Sequence, residues 1–175
     1  MDWYGIVFEV IDMRSFSNLW YWIALAVVWS TASHWVLGVP YDMVLRAKSL
    51  GDQAAVDLED MVRINCNRLL YIGQVSGMWI LGFGCAAITG LVLLGFWYDV
   101  EFAQALFFFV FPLSVIGLLS VSTARLITDE ASTGLRLQKR LGRHRLYTQI
   151  IGMLSVVVTA MWGMYHNMVV GPLGG

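Results

Sequence analysis

Charged side chains are scarce here: they make up 13% of 175 residues, where a soluble domain carries about a quarter. Between Leu69 and Tyr98 there are none in thirty residues, and Gln74 is the only amide. Hydrophobic residues reach 58%. Such a composition excludes an ordinary soluble domain and leaves most of the surface to lipid. The formal net charge of −1 points to no nucleic-acid partner.

Cysteine is nearly absent as well. Cys66 and Cys85 are the only two, and on one helix they stand about 28 Å apart at 1.5 Å per residue, beyond the span of a disulfide. Two thiols also fall short of the four that an iron–sulfur cluster or an all-cysteine zinc site takes. HExxH, GxSxG, a phosphate-binding loop and CxxCH are all missing, so nothing announces an enzyme, a covalently held haem or any other cofactor. No Asp, Glu, Lys or Arg falls in the middle of an apolar run. That argues against an ion pump or secondary transporter built from one chain.

What is present is a set of long apolar segments. Residues 69–98 make a helix of about 45 Å against roughly 30 Å of hydrocarbon, a membrane span with length to spare. Residues 19–39, closed by Gly38 and Pro40, give a first span with Trp20, Tyr21 and Trp22 at one end and Trp35 and Tyr41 at the other, the places of an aromatic belt. The short link at residues 99–101 folds a third span, 102–124, back antiparallel to the second, and Pro112 is a kink site. A fourth span covers 148–170, ended by Gly171 and Pro172.

The polar segments follow the same logic. Asp2, Gly5, Glu9 and Asp12 share one narrow stripe, so residues 1–16 read as an amphipathic helix lying at the membrane surface. In segment 40–68, the part after Gln53 is amphipathic and runs unbroken into the second span, giving one helix of more than forty residues. Tyr41 and Asp42 read as turn residues after Pro40. Segment 125–147 carries Arg136, Lys139, Arg140 and Arg143 on one stripe, with Thr128 or Asp129 as the cap. Its expected partner is the acidic group Asp52, Asp57, Glu59 and Asp60, with anionic lipid or another protein as the other destination.

The prediction is a single all-α integral membrane domain over 1–175, with four transmembrane helices, an N-terminal interfacial amphipathic helix and cytoplasmic helical extensions. Lys and Arg number one in the amino-terminal tail, four in the first loop, none in the second, six in the third and none in the carboxyl tail. Ten of eleven therefore lie on the side of loops one and three. This makes that side cytoplasmic and places both termini in the periplasm of a bacterial inner or intracytoplasmic membrane.

Small residues line every span. Gly73, Gly77 and Gly84 lie along the second, Gly117 along the third, and Gly152, Ser155, Thr159 and Gly163 along the fourth, all candidates for close helix packing. Ala26, Ser30 and Ser33 do the same on the first. His34 and His166 are the candidate polar intramembrane sites. Counted from their span starts, they sit in opposite leaflets, so one haem between them is excluded.

The segments FEVIDMRSFSNLWYWIALA, HWVLGVPYD, DLEDMVRINCNRLLYIG and WGMYHNMVVGPLGG together resemble a small family of four-span membrane proteins from alphaproteobacteria of the photosynthetic and related marine type. That family carries the label of a component of an iron–sulfur (Suf) assembly complex. The resemblance covers nearly the whole chain and implies a four-span membrane subunit; it transfers no functional residue. The expected activity is non-catalytic association, as an accessory or assembly subunit of a membrane complex or as a lipid-organising oligomer. The alternative is a homo-oligomeric channel with its pore between protomers, faced by Ser30, Ser33 and His34 or by His166.

Overall fold

The computed structural model describes Phe16 and residues 19–170; the interfacial helix expected over 1–16 lies outside the described residues except for Phe16, as do Gly171 and Pro172. In chain order the elements are α1 (Leu19–His34), β1 (Trp35–Val36), β2 (Val39–Pro40), α2 (Tyr41–Leu50), α3 (Asp52–Val92), α4 (Glu101–Asp129) and α5 (Gly134–Val170). A π-helical turn, Leu93–Trp97, extends α3. Three helical stretches are long and apolar enough to cross a membrane: Asp52–Trp97, Glu101–Asp129 and Gly134–His166.

The long second helix forms as expected, because no strong breaker interrupts it after Gly51. The first does not run its expected length. α1 stops at His34 after 16 residues, about 24 Å, because the chain reverses in a β-hairpin. Trp35 pairs with Pro40 and Val36 with Val39, and the two loop residues, Leu37 (φ 51) and Gly38 (φ 74), both take positive φ, as a type I′ turn requires. Glycine does this without strain; leucine does so because its side chain is nearly buried, at 8% exposure, in the core. Tyr41 and Asp42 are then the first turn of α2 rather than a free turn, with Pro40 at its N-cap.

The apolar core sits at this hairpin end. Val36, Leu37 and Val39 pack with Val44 and Ala47 of α2, Leu58, Val62 and Cys66 of α3, Ala124 and Ile127 of α4, and Leu137 and Leu141 of α5. Asn65 fastens the turn by donating to the Gly38 carbonyl at 3.2 Å. Burying the aliphatic side chains is worth about 1.5–3 kcal/mol each, so the two helical extensions dock through Leu and Val rather than through charge. The expected cap of α5 is also replaced. Thr128 and Asp129 belong to the last turn of α4, and the carboxylate of Glu59, reaching from α3, accepts the first amide of α5, Gly134, at 2.7 Å.

Along the spans the packing is uneven. Only 6% of the most apolar window of α3 and of α4 is buried within the chain, against 28% for α5. α1 and α4 pack on α5, while α3 is held chiefly by α4 and carries α2.

Candidate functional site

The interior is organised by one stripe of α5. Leu137, Leu141, His144, Thr148, Gly152, Ser155, Thr159 and Gly163 recur at three- and four-residue spacing and are all buried, the pattern of one helix face. Its small residues are filled by large partners. A Cβ on Gly152 would come within 2.7 Å of the Trp29 ring, and one on Gly163 within 3.2 Å of the Phe16 Cβ. Ser155 donates to the Phe108 carbonyl at 3.2 Å. Pro112, four residues after Phe108, has no amide to offer that carbonyl, so Ser155 supplies the missing donor from the neighbouring helix. Thr159 donates to Ser155 O at 2.7 Å and lies against the Tyr21 hydroxyl, which itself donates to Ala105 O at 3.2 Å.

At the α3–α4 turn these contacts end in a polar clamp. Gln104, 1% exposed, donates to the Gly95 carbonyl at 2.8 Å and to Asp99 Oδ1 at 2.9 Å. Its own oxygen accepts the Trp162 indole N–H at 2.9 Å. A Cβ on Gly95 would sit 3.0 Å from the Gln104 amide nitrogen, so glycine is what allows the turn to close. Glu101 accepts the Phe16 amide at 2.7 Å, with its other oxygen 3.8 Å from His166 Nδ1. Phe16, whose ring also lies against Phe108 and His166, is thereby seated on α4 and α5.

At the opposite end His144 is buried between α4 and α5. Its Nδ1 lies 3.1 Å from Thr123 Oγ1 and its Nε2 3.4 Å from Ser120 Oγ. Ser120 and Thr123 already donate their hydroxyl hydrogens to the Ile116 and Leu119 carbonyls at 2.8 Å each, so toward the ring both are acceptors, and the one N–H of a neutral imidazole donates to one of them. Nearby, the Arg145 guanidinium stacks 3.8 Å from the Tyr41 ring centroid and donates to Ser33 O at 3.2 Å. His34 follows Ser33 and is exposed, touching Trp35. His34 and His166 thus lie at different heights along α5, whose Arg145 and His166 stand about 32 Å apart.

The remaining expected residues separate into two groups. An added Cβ at Gly73, Gly77, Gly84 or Gly117 would meet nothing within 4 Å among the described residues, so the GxxxG side of α3, although half-buried at Gly73, Gly77 and Gly84, leaves room that no side chain fills. Ala26 and Ser30 are likewise exposed. Of the basic stripe, Arg136, Lys139 and Arg143 are exposed, while Arg140 pairs with Glu130. The acidic group is engaged elsewhere: Asp60 pairs with Arg63 at 2.9 Å, Asp57 accepts from Gln53 at 2.9 Å, and Glu59 holds Gly134. The expected pairing of the two stripes across the extensions is therefore replaced by the leucine and valine contacts.

Gln104, Glu101, Trp162, His144 and Arg145 were not singled out in the sequence, and Tyr41 was read only as a belt and turn residue. For His144 a signal existed: it continues the spacing of Leu137 and Leu141. Gln104 offered none beyond being an amide in an apolar helix. Among the described residues no three His, Cys, Asp or Glu side chains converge as metal ligands. No family model, no curated protein and no solved structure matches the chain.

Proposed function

We propose that this chain is a non-catalytic four-span membrane protein that acts by association, as an accessory or assembly subunit of a membrane complex or as a lipid-organising oligomer. α1 is the fourth span in this reading, its 16 residues extended by the β-hairpin. The interfacial helix over 1–16 enters it through Phe16. The excess of Lys and Arg in loops one and three places the core end in the cytoplasm and both termini in the periplasm of a bacterial inner membrane.

The observation that carries the reading is the contrast between α5 and α3. The small face of α5 is filled by Trp29, Phe16 and Phe108, whereas a Cβ added at Gly73, Gly77 or Gly84 on α3 would meet nothing among the described residues. In lipid, small residues along a helix are what allow another backbone to approach. The resemblance to a four-span family labelled as part of an iron–sulfur assembly complex supports a search for a foreign subunit there. The test is native mass spectrometry of particles extracted with their lipid by an amphipathic polymer. A fixed ratio with another subunit, or a closed set of identical chains, supports the reading; a lone chain under all mild conditions overturns it.

The channel between protomers is the second reading. It is supported by Ser30 and His34, both exposed four residues apart on α1 and so on one face; His166, partly buried against Glu101, takes no part in it. Conductance in liposomes that His34→Ala leaves unchanged would remove the histidine from this version.

A further inference from the structure

Among the exposed charges at the core end, which also include Asp42, Arg46 and Lys48 of α2 and Arg125 and Asp129 of α4, α3 and α5 carry patches of opposite sign. On α3, Asp52, Asp57 and Asp60 are exposed, while Leu58, Val62 and Cys66 turn inward. On α5, Arg136, Lys139 and Arg143 are exposed, while Leu137, Leu141 and His144 turn inward. Because Leu58 and Val62 share one core cluster with Leu137 and Leu141, the faces stand at the same height and point away from each other on opposite flanks. No ion pair joins them among the described residues: Glu59 is committed to Gly134, Arg140 to Glu130 and Arg63 to Asp60. Setting Arg63 and Arg68, both exposed on α3, against the three aspartates leaves −3 + 2 = −1 on one flank, and the other carries +3.

A bilayer holds every copy of a membrane protein at one depth and in one orientation. Two copies related by a two-fold axis along the membrane normal would set the same face against itself, acid on acid or base on base, which like charges oppose. A head-to-tail neighbour instead brings the acidic flank of one chain to the basic flank of the next at matching height. Such heterologous contacts repeat into a closed ring or an open row.

We infer that a second copy of this chain docks its acidic face, Asp52, Asp57 and Asp60, on the basic face formed by Arg136, Lys139 and Arg143. The inference rests on the association reading and names its partner. Exposed ion pairs are individually weak and salt-screened, so the contact weakens as salt rises.

The experiment uses the full chain purified in mild detergent, with mass photometry at low and high salt. One variant, Arg136→Glu with Lys139→Glu and Arg143→Glu, makes both faces acidic. Another, Asp57→Lys with Asp60→Lys, makes both basic and spares Asp52, which has positive φ. All five sites are exposed, and mixing after purification makes membrane orientation irrelevant. The wild type is expected as dimers and larger species at low salt, dissociating toward monomer at high salt. Each variant alone should associate at least tenfold more weakly, and their equimolar mixture should recover association, as should a chain carrying all five reversals. Variants that assemble like the wild type, or a mixture that stays monomeric, overturn the inference. A wild type found only in fixed ratio with a foreign subunit also overturns it, yet leaves the association reading standing.

Discussion

Ser155 on α5 donates to the carbonyl of Phe108 on α4 at 3.2 Å, the carbonyl that Pro112 leaves without an amide. A helix-breaking residue and a small polar residue on different spans are thus one unit. Ser155→Ala strands a carbonyl, at a cost of about 1–3 kcal/mol. Pro112→Ala restores the amide within α4, so the double variant should recover most of that loss. Unfolding in denaturing detergent, read as a double-mutant cycle, checks this. Equal losses with no coupling would separate the two residues.

Gly152 and Trp29 make the tightest approach between α1 and α5. Gly152→Ala places a methyl 2.7 Å from the indole, and overpacking of this kind costs about 1–3 kcal/mol. Trp29→Leu should partly rescue it by making room. Thermal denaturation of the single and double variants reads the outcome; a neutral Gly152→Ala would mean that α1 yields without cost.

Gly77→Leu has the opposite profile. Nothing in the described chain lies within 4 Å of its added Cβ, so the thermal stability of the isolated chain should stay within about 0.5 kcal/mol of wild type, while association should fall. Sedimentation in detergent beside a melting curve distinguishes the two effects. A destabilised chain with intact association contradicts the assignment.

Gln104→Leu keeps the volume of a buried side chain and removes three hydrogen bonds, those to Gly95, Asp99 and Trp162. Leaving those partners unpaired costs about 1–3 kcal/mol for each that water does not reach. Hydrogen exchange should accelerate at the α3–α4 turn, residues 95–104, while the core end stays protected. Uniform acceleration along the chain would show that the clamp is not a local device.

The long elements were legible because hydropathy and charge act over many residues. The uncharged run from Leu69 to Tyr98 marks α3, and its unbroken amphipathic lead-in marks the extension. The end of α1 was not legible. Leu37 read as an apolar span residue and Gly38 as the span's end, and only the packing of Val36 and Val39 on distant helices and the bond from Asn65 of α3 to Gly38 make a β-hairpin favourable there. Likewise, Gly152 and Gly73 look alike in sequence as small residues at helical spacing. One receives Trp29 and the other nothing, because spacing marks a face but does not say which side chain fills it. The charged stripes failed for a related reason: opposite signs were visible, but their orientation on opposite flanks follows from the burial of Leu58 and Leu137 together.

The central proposal, that the unfilled glycine side of α3 is where this chain meets a partner, is tested most directly by photo-cross-linking in intact membranes. A photoreactive side chain at Ile80, beside the stripe of Gly73, Gly77 and Gly84 on a helical wheel, is compared with one at Met78 on the far side. The account predicts a discrete adduct of higher mass from position 80 and lipid adducts alone from position 78. Lipid adducts from both positions, with no protein adduct, would contradict it.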